Sequence, residues 1–117
     1  MSSRRTTRVA QVLREELSRL ITKEQTLDNL LITITDVTLA PDLKQATIFF
    51  STLSQTKSAE TVAGLLSRHA HHWHHEISKR VHMKYVPKLH FSPDDTIERG
   101  DRVLNILREL DQPEDHS

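Results

Sequence analysis

With 117 residues, two glycines and no internal repeat, the chain suits a single domain with one modest hydrophobic core. The lack of cysteine excludes disulfides and thiolate metal sites and fits a reducing cytoplasm, and no apolar run approaches the roughly 18 residues of a membrane span. Basic and acidic residues each number 16, but residues 1–92 carry a net charge of +5 and residues 93–117 one of −5. A neutral total therefore leaves a polyanionic partner open, beside the plainer interpretation that these charges are ordinary solvated faces.

The N-terminal segment, residues 1–21, has the apolar spacing of an amphipathic helix. Arg4, Arg5 and Arg8 lie at its start. Glu15 and Glu16 argue against a transit peptide, because such peptides are poor in acidic residues. The segment is therefore predicted to be the first helix of the fold. Its apolar stripe comprises Val9, Val12, Leu13, Leu17, Leu20 and Ile21.

Two β-strands joined by a turn are predicted next. Residues 31–39 are rich in β-branched side chains and alternate in polarity. The alternation changes phase at Asp36, which a β-bulge near that residue would repair. Pro41 and Asp42 are typical of a turn. The second strand, residues 45–53, places one set of apolar side chains on one side: Ala46, Ile48 and Phe50.

The stretch of residues 62–91 begins as a long amphipathic helical segment. It then runs through Val86 and Pro87 into a short strand at residues 88–92. Ser58 can cap the helix. Apolar positions three and four residues apart predict one buried stripe, made of Val62, Leu65, Leu66, Ala70, Trp73, Ile77 and Val81. Between them lie many basic and histidine residues, with Glu76 the only acid: Arg68, His69, His71, His72, His74, His75, Lys79, Arg80 and His82. A helix with one apolar and one cationic face suits a negatively charged partner.

A last helix is predicted over residues 96–110, followed by a flexible acidic tail at residues 111–117. The order helix, strand, strand, long helix, strand, helix predicts an α+β fold in a single domain of residues 1–110. Its three-stranded sheet would carry the helices on one face.

Several strings in this order resemble the ribosome-binding factor A family, whose members have a KH-like fold of the prokaryotic type. The strings cover nearly the whole chain, about residues 3 to 110. They are Arg4 to Arg8 before Val9 and Glu16-Leu17; Thr33-Ile34-Thr35-Asp36-Val37; Asp42-Leu43, Ala46 and Ile48-Phe49-Phe50-Ser51; and Val86-Pro87-Lys88-Leu89-His90-Phe91 with Asp94, Asp95 and Gly100.

The resemblance implies a cytoplasmic, monomeric and non-enzymatic assembly factor without a cofactor. Such a factor binds the immature free small (30S) ribosomal subunit. It assists late maturation of 16S rRNA, including processing at the 5′ end, especially in the cold.

The chain departs from the family at one point. Typical KH domains grip nucleic acid with a Gly-x-x-Gly loop. The resemblance implies instead a kink with a small-x-Gly pattern between two helices, giving helix-strand-strand-helix-(kink)-helix-strand. This chain has His69-Ala70-His71 there, and His74 replaces a usual arginine. Whether the kink survives, becomes shallower or is lost stays open.

The predicted RNA contacts are cationic side chains near the first helix and on the long helix and its exit. Phosphate contact requires only cations within reach, so histidine can contribute in a pH-dependent way. Trp73 and Tyr85 are assigned to the core or its rim rather than to base stacking. The predicted contact residues are Arg4, Arg5, Arg8, Arg68, His71, His74, Lys79, Arg80, Lys84 and Lys88.

The histidine-rich face also suggests an alternative, a small metal-binding or interaction protein. His71 and His75 lie one helical turn apart, a spacing that can chelate a transition metal. No His-Glu-x-x-His motif accompanies them, so adventitious affinity on a solvated helix is the plainer interpretation. No phosphate-binding loop, dinucleotide fingerprint or nucleophile motif is present either, which disfavours an enzyme.

Overall fold

A computed structural model describes residues 4–54 and 56–94 and gives the predicted order of elements over that part of the chain. The predicted helix at residues 96–110 and the tail at residues 111–117 lie outside the described residues. Within the described residues, no helix is long and apolar enough to cross a membrane. The elements are α1 (Arg4–Lys23), a 3-10 helix (Gln25–Leu30), β1 (Ile32–Leu39), β2 (Gln45–Thr52), α2 (Ala59–Arg80) and β3 (Lys88–Pro93).

The three strands form one mixed sheet in the order β1-β2-β3. β1 pairs antiparallel with β2, and β2 pairs parallel with β3. The β1–β2 register shifts between Ile34 and Asp36, which leaves Thr35 as the extra residue of a bulge. The bulge near Asp36 is therefore confirmed. It lets Ile34 and Val37 both face the core although they are three residues apart.

Both helices pack on one face of this sheet, where their apolar stripes share a single core with the inward side chains of the strands. α1 lies against β1 and α2 against β3. The predicted inward residues of β2 are buried, and Trp73 fills the space between α2 and β3 with its ring edge-on to Phe91 at 5.8 Å. The α+β architecture expected from periodicity is confirmed.

α2 is a single continuous α-helix from Ala59 to Arg80. Its start is fixed as predicted, because Ser58 Oγ accepts a hydrogen bond from the Thr61 backbone N–H at 3.2 Å. The helix passes through His69-Ala70-His71 without interruption, so the chain forms one helix where the resemblance implies two separated by a kink. The His69 ring stacks on Trp73, with ring centroids 4.8 Å apart, and covers the core at this point.

The turn between β1 and β2 is compact and is held against the start of β3. Leu43 adopts a left-handed conformation (φ 61°), and its N–H donates to the Ala40 carbonyl at 2.9 Å. Asp42 Oδ1 accepts a hydrogen bond from the Lys44 N–H at 2.9 Å, the usual role of aspartate in a turn. The Lys88 N–H donates to the Lys44 carbonyl at 2.9 Å, so the turn and β3 begin side by side.

Candidate nucleic-acid interface

Three segments of the chain meet at one end of the sheet and enclose an open groove of about 980 Å³. They are the first turns of α1, the β1–β2 turn at residues 41–44, and the connection at residues 81–87 between α2 and β3. The parallel pairing of β2 with β3 causes this meeting, since it places the starts of both strands, Gln45 and Lys88, next to each other. We call this feature the cationic groove.

The charged side chains that line the cationic groove are mainly positive and are exposed to solvent, and the rest of its lining is mostly apolar. Its acidic lining residue, Asp42, is partly occupied by the Lys44 backbone N–H. A concave surface with an excess of one charge concentrates ligands of the opposite charge. The groove therefore has the electrostatics of a phosphate-binding surface. Its basic lining residues, counting histidine, are Arg5, Arg8, Lys44, His82 and Lys84.

The connection at residues 81–87 is held firmly although it has no regular secondary structure. Pro87 is fully buried, and Val86 packs against the core. His74, half-buried on α2, contacts the Val86 carbonyl oxygen through Nε2 at 2.7 Å. Because a carbonyl oxygen only accepts hydrogen bonds, His74 Nε2 carries the proton and donates it. The groove wall formed by Lys84 and its neighbours is therefore fixed to the body of the fold.

Five of the ten predicted contact residues lie in or beside the cationic groove. Arg5, Arg8 and Lys84 line it, and Arg4 is exposed at the same end of α1. Lys88 is exposed at the start of β3, next to Lys44. The structure thus brings together cations that are more than 70 residues apart in the sequence.

Arg80 lies at the end of α2 but points towards α1. Its Nε is 2.8 Å from Glu16 Oε1, and Arg19 contacts the same oxygen at 3.2 Å. Partial burial raises the pKa of Glu16, but the hydrogen bonds and charges of Arg80 and Arg19 outweigh this effect and hold the pKa below its usual value. The Arg80 charge is therefore already paired within the protein and joins α1 to α2.

The remaining predicted contacts lie along α2, away from the groove. Lys79 pairs with Glu76 at 3.4 Å, and the hydrogen bond from Lys79 lowers the Glu76 pKa. Arg68 and His71 are exposed. With a rise of about 1.5 Å per residue, Arg68 lies roughly 18 Å before the end of α2. His74 faces the Val86 carbonyl, so its ring supports the groove wall rather than extending the outer face.

Within the part of the chain that the structure describes, the predicted histidine pair of a metal site has no third ligand nearby. His71 and His75 are exposed on α2. Among residues 4–54 and 56–94, no group of three or more histidine, aspartate or glutamate side chains is placed to hold a metal ion. His69 lies on the same helix. Its Nδ1 is 3.6 Å from Glu24 Oε1, and its ring stacks on Trp73.

The predicted contacts omit three residues of the groove: Lys44, His82, which the sequence placed on the cationic face, and Tyr85, which it placed in the core or its rim. Lys44 follows the turn signal at Pro41-Asp42, but only the pairing of β2 with β3 brings it near Lys84. Tyr85 precedes the buried Pro87 by two residues, and its 70% exposure depends on the course of the connection. No local pattern gives that course.

The sequence and the fold both have known counterparts. A model of the ribosome-binding factor A family matches residues 5–107. Ribosome-binding factor A of Zymomonas mobilis is 41% identical over 100 residues, which cover 86% of this chain and 70% of that protein. The corresponding protein of Opitutus terrae is 33% identical over 110 residues, with coverage of 94% and 90%.

Among solved structures, the crystal structure of ribosome-binding factor A from Thermus thermophilus aligns with a TM-score of 0.62 at 24% identity, covering 75% of this chain and 94% of that one. A homology model of the Thermus thermophilus protein, fitted into a cryo-EM map of a 30S complex, aligns with a TM-score of 0.56 at 22% identity, covering 79% and 93%. These alignments confirm the KH-like fold that the sequence strings imply.

Proposed function

Because the chain belongs to the ribosome-binding factor A family, we propose that it binds the free small ribosomal subunit and docks its cationic groove on rRNA phosphates. The observation that carries this proposal is the meeting of Arg5, Arg8 and Lys84 in one groove. A relative of the same fold has been fitted into a map of a 30S complex, which supports the choice of partner.

The groove suits binding rather than catalysis. Arginine and lysine neutralise phosphates without reading sequence, and each neutralised phosphate releases counterions to the solvent. From the role that the family resemblance implies, we propose a cytoplasmic, non-catalytic part in late maturation of 16S rRNA and of its 5′ end. Position on the subunit would come from the shape of the folded rRNA around several phosphate contacts.

Co-sedimentation with purified ribosomal subunits tests this role. We expect the protein to sediment with free small subunits at low salt and to dissociate from them as the salt concentration rises. It should not sediment with large subunits. A chelator selective for transition metals, with Mg²⁺ kept in the buffer, should leave binding unchanged, whereas dependence on the His71–His75 pair would make binding sensitive to it. Failure to bind small subunits at any salt concentration would contradict the proposed function.

The groove variant for this experiment is the triple substitution Arg5→Ala, Arg8→Ala and Lys84→Ala. Its matched control removes two other exposed cations, Lys23 and Lys57. Both lie near the opposite end of the fold, at the end of α1 and in the connection before α2. Loss of sedimentation in the groove variant alone is the expected result.

A further inference from the structure

Tyr85 is an exposed aromatic side chain in a groove of cations. It is 70% exposed, although large aromatic surfaces in folded proteins are mostly buried. The other large exposed apolar residues of the described part, Leu31 and Leu53, lie together at the far end of the β1–β2 hairpin, where the Leu53 N–H faces the Leu31 carbonyl at 3.4 Å. Tyr85 alone of the three lines the cationic groove.

The backbone that carries Tyr85 is fixed before any ligand arrives. Pro87 is buried and restricts the conformation of Val86. The Val86 carbonyl is held by His74 Nε2 at 2.7 Å. A tyrosine has only two side-chain torsions, so it loses little conformational entropy on binding and its surface is available for contact at low cost.

The ring also lies among groups that bind phosphate. Lys84 Nζ is 5.7 Å from the Tyr85 ring centroid, within reach of a cation–π contact. Arg5 and Arg8 line the same groove. A flat aromatic face beside cations matches the two parts of a nucleotide, since a base stacks on the ring and the phosphate contacts the cations.

We propose that Tyr85 stacks on an unpaired base of RNA, an inference that rests on the proposed rRNA-binding role of the groove. The phosphates flanking that base lie on Arg5, Arg8 and Lys84. The base must be unpaired, because bases inside an A-form duplex are stacked on their neighbours and do not present a free face to a side chain. Stacking of this kind tolerates any base, so the groove selects single strands over duplexes without reading sequence.

Fluorescence of a short oligoribonucleotide that contains one 2-aminopurine tests the proposal, since stacking on an aromatic ring quenches this base. The wild type and Tyr85→Phe should both quench it, whereas Tyr85→Ala should not. Because Trp73 is buried, it cannot supply the quenching. We expect Tyr85→Ala to bind the single strand roughly ten- to a hundredfold more weakly. The same sequence in a duplex should bind equally to all three proteins.

Leu53→Ala is the matched control, because Leu53 is 69% exposed and lies far from the groove. Equal quenching and affinity in Tyr85→Ala and the wild type would overturn the stacking, whatever the small-subunit result. The ribosomal role can fail separately. If the wild type does not sediment with small subunits, but Tyr85→Phe and Tyr85→Ala still differ in quenching the oligonucleotide, the ribosomal role is contradicted and the stacking is supported.

Discussion

The cations of this protein differ in what their charges already contact. Arg80 and Lys79 pair with carboxylates on α1 and α2, whereas Lys84 extends from a connection that lines the groove. A paired cation gives up its carboxylate when it binds phosphate, so it contributes less net free energy to RNA binding. Among the ion pairs of the described residues, none involves Lys84, so Lys84 has no carboxylate to give up there.

Arg80→Ala tests whether the Arg80 charge serves stability. The Glu16 pKa lies below its usual value of 4.5 in the folded protein, so the stabilisation is present above that value and is lost as the pH falls through the lowered pKa. At neutral pH we expect Arg80→Ala to lower the free energy of unfolding by about 0.2–1 kcal/mol. At an acidic pH below the lowered pKa, where Glu16 is protonated, the difference from wild type should become small.

Urea denaturation at both pH values measures this difference, with Lys57→Ala as the control for removal of an exposed cation. If the cost of Arg80→Ala were the same at both pH values, the ion pair with Glu16 would not be its cause.

His74 shows how a residue can be predicted as part of a surface and function behind it. Helical spacing places it with its cationic neighbours, and only the return of the chain to β3 brings the Val86 carbonyl to its ring. The sequence specifies the identity of this histidine but not its partner, which is 12 residues away in an irregular connection.

His74→Ala should loosen the connection at residues 81–87. Losing one part-buried hydrogen bond costs about 1 kcal/mol, and local opening would expose the backbone after Lys84 to trypsin. We expect trypsin to cleave after Lys84 faster in His74→Ala than in the wild type. Mass spectrometry of samples taken during the digestion measures this rate. His72→Ala, an exposed neighbour on α2, should be cut like the wild type. Identical cleavage in all three proteins would mean that His74 does not hold the connection.

Among the elements, α2 differs from the kinked arrangement that the family resemblance implies. The helix continues through His69-Ala70-His71, and the His69 ring packs on Trp73, which in turn meets Phe91 edge-on. Glycine lowers helix stability because it has the largest conformational entropy to lose, so replacing it removes one cause of a break. The contacts among these three rings then tie the middle of α2 to β3.

His71→Gly should weaken this element. His71 is exposed, so the substitution removes little packing, and glycine in a helix interior costs about 1 kcal/mol. His71→Ala is the control and should be at least as stable as the wild type, because alanine favours the helix. Thermal unfolding followed by circular dichroism compares them. A glycine variant as stable as the alanine variant would indicate that the helix bends at this position in solution.

The elements themselves were largely predictable from the sequence, because their signals are local. Ser58 precedes the helix that it caps, and the change of phase at Asp36 marks the bulge at Thr35. The groove was not predictable in the same way. It requires the parallel register of Gln45 with Lys88, and that pairing joins strands separated by the whole of α2. Tyr85 was assigned to the core rim for the same reason.

At the scale of the molecule, the fold gathers charge that the sequence disperses. The start of α1 contributes Arg5 and Arg8, the β1–β2 turn contributes Lys44, and the connection before β3 contributes His82 and Lys84. The net charge of zero therefore hides a surface with strong local field. The family relation identifies the ribosomal subunit as the proposed partner of that surface.

The most direct test of this account is the salt dependence of affinity for free small subunits. We expect the logarithm of the association constant to fall linearly with the logarithm of salt concentration for the wild type. In the triple variant of Arg5, Arg8 and Lys84 the slope should be shallower by about two to three, one for each lost phosphate contact. The Lys23 and Lys57 control should keep the wild-type slope. An unchanged slope in the triple variant would contradict the assignment of rRNA binding to the cationic groove.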